Sequence, residues 1–372
     1  MHLANITLVN FKNYLQEEVN FSEKINCFVG KNGVGKTNML DAIHYLSMTK
    51  SFFNPIDVQN IHHGKDFLMI QGTFIVENSK NEIYCGLRKN KKKQFKKNGK
   101  EYDRFSEHVG SFPVVMISPN DIFLITGGGD ERRRFIDTVI SQYDIKYLNN
   151  LIRYNRTLAQ RNKLLKDTAG GKNFDKSLFS VLDAQLHLYG SEIYQSRLAF
   201  AEKLLPVFQR YYKFISLNNE KVKLQYESDL KTGELSGLLK KSFEKDRVLL
   251  HTTKGVHRDD LTLKIQGQPI KKIGSQGQQK TFLVALKLAK FEFIAGIKNL
   301  KPVLLLDDIF DKFDNDRVKQ IIELVGDENF GQIFITDTKE ERLNTILGEV
   351  NPGYRLFEVI DGTIKTLQNE KK

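Results

Sequence analysis

The stretch Gly30-Lys31-Asn32-Gly33-Val34-Gly35-Lys36-Thr37 fits the pattern G-x-x-x-x-G-K-[ST], and its flanks supply the context which that pattern needs. Ile25-Asn26-Cys27-Phe28-Val29 reads as a short apolar strand, and Asn38 to Ser47 carries Met39, Ile43 and Leu46 at helical spacing. A strand that turns through glycines into a helix leaves backbone N–H groups aimed at one spot, which the helix dipole makes electropositive. Polyphosphate fits there. The glycines permit torsions closed to other residues and let the main chain approach phosphate oxygens. Gly30 to Asn38 is therefore the expected nucleotide cradle, with Lys36 reaching the terminal phosphates and the Thr37 hydroxyl on Mg²⁺.

The far end of the chain supplies complementary pieces. Val303-Leu304-Leu305-Leu306 is a continuous apolar run, the mark of a strand buried on both faces of a parallel sheet, and it ends in Asp307-Asp308. A carboxylate at the end of such a strand, beside a phosphate loop, is where Mg²⁺ is held, so Asp307 is the expected metal partner. Asp308 is expected to orient or activate the attacking water. Five Asp and one Lys lie between Asp307 and Asp316, a run that calls for a cation. Gln332 to Thr336 reads as another strand, and Thr336-Asp337 at its end is placed to sense a terminal phosphate. Ser275-Gln276-Gly277-Gln278 opens a helix running to about Ala295, either a second phosphate cradle or a plain N-cap.

The chain has 372 residues, enough for two or so domains, with 40% hydrophobic residues and a net charge of +12. An acidic partner is worth considering on that charge. No signal peptide or membrane-length apolar run is visible, and the two cysteines form no disulfide framework or metal set, so a cytoplasmic location with no membrane partner is expected.

Residues 67–102 alternate apolar and polar as an antiparallel meander, with Asn98-Gly99 as a hairpin turn. Arg88, Lys89, Lys91, Lys92, Lys93, Lys96, Lys97 and Lys100 fall here with no acidic residue between them. They suit two uses, protecting an edge strand or contacting nucleic acid. From Asp130 to about Tyr212 the pattern turns helical, and Arg132, Arg133 and Arg134 begin an arginine-rich surface that suits DNA contact or an ordinary solvated helix face. Gly170-Gly171, Gly190 and Pro206 interrupt this region, and no heptad repeat is sustained, which excludes a long coiled coil. Residues 213–250 are mixed by pattern. Gly255-Val256-His257-Arg258-Asp259-Asp260 carries charges that suit a site or a buried ion pair.

Phosphate loop, Ser-Gln-Gly-Gln-Gln-Lys turn and Leu-Leu-Leu-Asp-Asp strand, in this order, resemble an ABC-type ATPase head of the kind found in SMC proteins. Together with Gly255 to Leu261, Arg132-Arg133-Arg134-Phe135-Ile136-Asp137 and Lys50-Ser51-Phe52, they resemble the RecF family of bacterial recombination mediators. The expected fold is α/β: an ABC-type ATPase head, with a mixed or parallel sheet and the antiparallel meander, plus an inserted helical lobe. The expected boundaries are 1–125 and 246–372 for the head and 126–245 for the lobe. The resemblance implies an ATP- and Mg²⁺-dependent DNA-binding protein acting in replication, recombination and repair at single-strand gaps. It also implies action alongside RecR, RecO and RecA, a part in the SOS response, and affinity for single- and double-stranded DNA. In such heads Ser275 to Gln278 of one subunit reaches the nucleotide held by another, so ATP closes a homodimer and slow hydrolysis reopens it. Asp337 departs from the family pattern, which has a small residue there, and no Q-loop glutamine is apparent. A GTPase is disfavoured by the lack of N-K-x-D, and a monomeric kinase would leave Ser275 to Lys280 without a task.

Overall fold

The computed structural model describes residues 1–168, 176–217, 220–309, 330–341 and 354–368, with 320, 321, 323, 324 and 343. By internal contacts the chain forms two compact units, Met1–Asp121 with Val284–Lys372, and Ile122–Leu283. The first unit opens with β1 (His2–Phe11), β2 (Tyr14–Asn20), β3 (Ile25–Val29) and helix α1 (Lys36–Met48). The meander follows as β4 (Phe67–Val76), β5 (Ser79–Arg88), β6 (Gln94–Lys97) and β7 (Lys100–Glu101), and then β8 (Val114–Ile117). Six of these strands form an antiparallel sheet in the order β2-β1-β4-β5-β6-β7. The expected hairpin turn is present, with Asn98 and Gly99 both in the left-handed region (φ 50° and 80°).

The second unit contains α2 (Phe123–Thr126), α3 (Gly129–Ser141), α4 (Ile145–Asp167), α5 (Lys176–Ile215), β9 (Val222–Glu227), α6 (Leu235–Leu249), β10 (Asp260–Ile265), β11 (Gln268–Pro269) and α7 (Ile270–Ile273). Gly190 and Pro206 do not interrupt it as expected: α5 runs through both for 40 residues. Gly190 is a packing residue, since a Cβ there would come within 2.6 Å of Leu235 on α6 and 3.1 Å of Tyr154 on α4. Contacts of α5 with α3, α4, α6 and β9 outweigh the local cost of the proline. Residues 246–283, expected with the head, pack in this unit, because β10 pairs along the whole of β9 and α7 rests on β10. The cluster around Asp259 takes the ion-pair alternative. Buried Arg197 donates to Asp259 Oδ2 and Asp137 Oδ1, both at 2.8 Å, and Tyr226 Oη donates to the same Asp259 oxygen at 2.5 Å.

Helix α8 (Gln276–Lys298) leads back into the first unit, which closes with β12 (Val303–Asp307), β13 (Ile333–Asp337), β14 (Tyr354–Ile360) and β15 (Thr363–Gln368). The second sheet has the order β15-β14-β3-β13-β12-β8, all parallel except the β14–β15 hairpin. Every residue of β3, β12 and β13 is buried, as their continuous apolar runs require. Helix α1 contacts β1, β4 and β5 of one sheet and β8, β12 and β13 of the other. That position explains why nine of its side chains are buried, too many for a one-sided amphipathic helix. The parallel register sets Thr336 beside Asp307 and Asp337 beside Val29, so three strands end at one edge, where α/β sheets bind ligands. Among the described residues no helix is long and apolar enough to cross a membrane.

Candidate nucleotide-binding site

The cradle begins where β3 ends at Val29. Gly30 has φ 150°, and a Cβ there would meet the Val359 carbonyl oxygen at 2.5 Å; Gly35 has φ 122°, and a Cβ there would meet Asn13 Nδ2 at 2.5 Å. Both positions therefore require glycine. The loop is braced from outside itself. Asn13 Nδ2 and Gly362 N donate to the Val34 carbonyl at 2.7 and 3.0 Å, Tyr14 Oη donates to the Gly35 carbonyl at 2.9 Å, and Asn38 Nδ2 donates to Asn13 Oδ1 at 2.7 Å. Helix α1 starts at Lys36 with no side-chain cap, so its first-turn amides are left to a ligand.

Asn32, Gly33, Gly35, Lys36, Thr37 and Asn38 line a cavity of about 150 Å³, and Asp307, Asp308 and Thr336 close its other side. Of the expected cradle, Gly30, Lys31 and Val34 shape the loop without lining the cavity. Lys36 Nζ donates to the carbonyls of Gly30 and Lys31 at 2.6 and 2.7 Å. Thr37 Oγ1 donates to Asp307 Oδ1 at 2.8 Å, Thr336 Oγ1 donates to the same oxygen at 2.9 Å, and Asp308 N donates to Thr336 Oγ1 at 2.9 Å. Asp308 itself is in the left-handed region, with φ 47°. Asp337 is buried and accepts from Lys339 N at 2.8 Å. Asp311, Asp314 and Asp316 lie outside the described residues.

Burial lowers the affinity of the Lys36 amine for its proton, against the pull of Asp308, Asp307 and Asp337. Burial likewise raises the Asp307 carboxyl above its ordinary range, opposed by the hydroxyls of Thr37 and Thr336. A dication beside Asp307 would reverse that preference, which is how a buried carboxylate next to a hydroxyl and a phosphate cradle serves Mg²⁺. The residues present fit a nucleoside triphosphate with its metal ion.

The turn Ser275-Gln276-Gly277-Gln278 lies in the second unit. Ser275 and Gln276 are exposed, and Gln278 N donates to Ser275 Oγ at 3.2 Å, so the N-cap expected as one alternative is present.

The family described as RecF/RecN/SMC N terminal domain matches residues 2–362. A protein named DNA replication and repair protein RecF from Bacteroides thetaiotaomicron is 50% identical over 372 residues, covering 100% of both chains. This chain belongs to the RecF family. The RecF of Flavobacterium johnsoniae is 47% identical over 359 residues, 96% of this chain and 100% of that one. The solved structure of the recombination mediator protein RecF-ATP in the RecFOR pathway is 31% identical, with TM-score 0.89 over 99% of this chain and 98% of that one. An SmcHead bound to the C-winged helix domain of ScpA, 15% identical with TM-score 0.61, shares the ABC-type head fold.

The basic residues of this RecF-family chain divide sharply. Arg88, Lys89, Lys91 and Lys92 are exposed, while Lys96 and Lys97 are half-buried over the rings of Tyr84 and Phe112. Lys93 was expected among the DNA contacts, and its burial argues otherwise. In the strand alternation it points inward with Phe95, where it donates to Asp57 Oδ2 at 2.6 Å and to the Thr49 carbonyl at the end of α1 at 2.8 Å. Arg132 is likewise spent internally: it shares the buried face of α3 with Phe135, Ile136 and Val139 and grips both oxygens of Asp260 at 2.6 and 2.9 Å. Arg133 donates to the Asp259 carbonyl at 2.5 Å and to Asp130, whereas Arg134 is exposed and pairs with Glu131 at 3.2 Å. Asn13, Tyr14 and Gly362 were missed from sequence. The polar Asn13-Tyr14 step after β1 is the local signal for the first two of them, and the Asp361-Gly362 turn between β14 and β15 is that for the third.

Proposed function

We propose that this chain is an ATP-switched, DNA-binding recombination mediator of DNA replication and repair. The observation that carries the reading is the convergence of Lys36, Thr37, Asp307 and Thr336 on one cavity at the strand ends, in a chain half identical to proteins named for that role. ATP occupies the cradle, with its terminal phosphates at Lys36 and its metal ion held by Thr37 and Asp307. When bound, Mg²⁺ neutralises charge on the phosphate oxygens. Asp308, whose backbone is fixed by the Thr336 hydroxyl, orients the attacking water. Ser275 to Gln278 of a second copy complete the site, so that ATP closes a homodimer and slow hydrolysis reopens it. The closed dimer engages gapped duplex, both single- and double-stranded, through exposed basic residues including Arg88, Lys89, Lys91, Lys92 and Arg134. RecR, RecO and RecA act in the same pathway.

Light scattering of the purified chain tests this. The mass should double with ATP and Mg²⁺, and the dimer should tighten further on gapped duplex. A chain that stays single with both present would sink the reading.

A further inference from the structure

A chain of hydrogen bonds in the second unit ends on the Ser275 turn. Besides accepting from Gln278 N, this turn makes the reciprocal bond: Ser275 N donates to Gln278 Oε1 at 2.8 Å. Serine at the cap and glutamine three residues on form a capping box. The other end of the same amide is also held, because Gln278 Nε2 donates to Glu220 Oε1 at 2.8 Å and Tyr212 Oη donates to Glu220 Oε2. Tyr212 is wholly buried and packs on Phe208 and Phe282. The relay therefore runs from a rigid ring through a carboxylate and an amide to an exposed serine.

Hydrogen-bond chemistry gives the relay a direction. A carboxylate only accepts, so Glu220 admits one orientation of the Gln278 amide, with its NH₂ toward the carboxylate and its oxygen toward Ser275 N–H. With the box closed, Ser275 Oγ accepts from Gln278 N and its own hydrogen remains to be donated outward. That is the state a cap needs in order to meet an anion. Were the Gln278 amide to turn over, its NH₂ would face the Ser275 N–H, two donors would oppose each other, and the box would open.

We infer that Glu220, anchored by Tyr212, is a positioning residue that orients the Gln278 amide and so holds the Ser275 hydroxyl ready for the terminal phosphate bound by a second copy. The inference rests on the composite-site reading and adds to it the part that presets the lid.

The test uses the full chain, with Glu220→Leu to remove the acceptor, Glu220→Gln to keep an acceptor without the charge, and Tyr212→Phe to release the carboxylate alone. Amide hydrogen exchange at Ser275, measured without nucleotide, should quicken about tenfold in Glu220→Leu, the loss of one hydrogen bond to a charged group. The ATP-driven dimer should weaken by a similar factor while ATP affinity of the monomer holds. Glu220→Gln should restore both properties, a rescue that a merely structural role does not predict. Should Glu220→Leu fail to fold, Tyr212→Phe carries the test, with a smaller rise in exchange at Ser275. Unchanged exchange in the variant that folds, or equal loss in Glu220→Gln, overturns the inference. If the unaltered chain shows no ATP-driven dimer, the composite site fails, and the exchange measurement still decides whether Glu220 sets the turn.

Discussion

Lys36 and His108 show how little freedom single side chains have around α1. The Lys36 ammonium sits between the Gly30 and Lys31 carbonyls at 2.6 and 2.7 Å, a seat for a compact point charge. A planar guanidinium fork does not fit that seat, so Lys36→Arg should bind ATP weakly and lose hydrolysis by a hundredfold or more (~3 kcal/mol). A phosphate-release assay returning near-normal turnover would contradict that role. His108 is fully buried, and its Nε2 donates to the Leu46 carbonyl of α1 at 2.7 Å while Nδ1 accepts from Tyr102 Oη at 3.1 Å. The neutral ring satisfies both bonds, and burial lowers its pKa to about 4. The folded ring thus binds a proton less readily than the unfolded one, whose pKa is about 6.5. Its contribution is fully present above that value and is lost as pH falls from there toward 4, by about 2 kcal/mol at pH 5. Urea midpoints at pH 7 and pH 5 should differ less in His108→Gln than in the unaltered chain, and equal differences would clear His108 of the effect.

At the scale of elements, the β5–β6 hairpin mixes two jobs within one run of lysines. Lys93 belongs to the core, bridging Asp57 and the carbonyl end of α1, whereas Lys91 and Lys92 stand in solvent. Lys93→Met leaves the Asp57 carboxylate without its cation and should cost about 3 kcal/mol in a denaturant titration, with DNA affinity per folded molecule unchanged. Replacing Lys91 and Lys92 by alanine should do the reverse, sparing stability and reducing the salt slope of DNA binding by about one per lost phosphate contact. An unchanged slope would leave these lysines only the guarding of a sheet edge. The hairpin also marks where sequence reading stopped. The strands of the meander and the Asn98-Gly99 turn between its β6 and β7 were legible, because alternation and turn chemistry are local. Which lysine faced inward was not, since a run of identical charges hides the period of two that Phe95 alone betrays. The same division holds elsewhere. The buried strands β3, β12 and β13 and the cradle between β3 and α1 are written in contiguous residues. The brace on that cradle from Asn13 and Gly362 depends on contacts distant in sequence, as does the passage of α5 through Gly190 and Pro206 on the strength of its packing partners.

The largest scale concerns how many chains make one site. Lys36, Thr37 and Asp307 belong to one compact unit, while Ser275 to Gln278 belong to the other. If each nucleotide is held by the first unit of one copy and covered by the second unit of another, the two halves of the chemistry can be damaged separately. Lys36→Arg spoils the cradle and spares the lid. Ser275→Arg spoils the lid, because a long cation replaces the hydroxyl, yet should leave ATP affinity of the monomer within about twofold, as a lone chain gains nothing from its own turn. Neither variant alone should hydrolyse ATP on gapped duplex. Mixed, they form a pair in which the Lys36 of one copy faces the Ser275 of the other, and one of its two sites is wholly intact. The mixture should therefore recover activity that both components lack, and the recovery should grow with protein concentration, as association requires. Complementation of this kind has no counterpart in an enzyme whose site lies within a single chain, so a mixture as inert as its parts would place the whole reaction in one molecule.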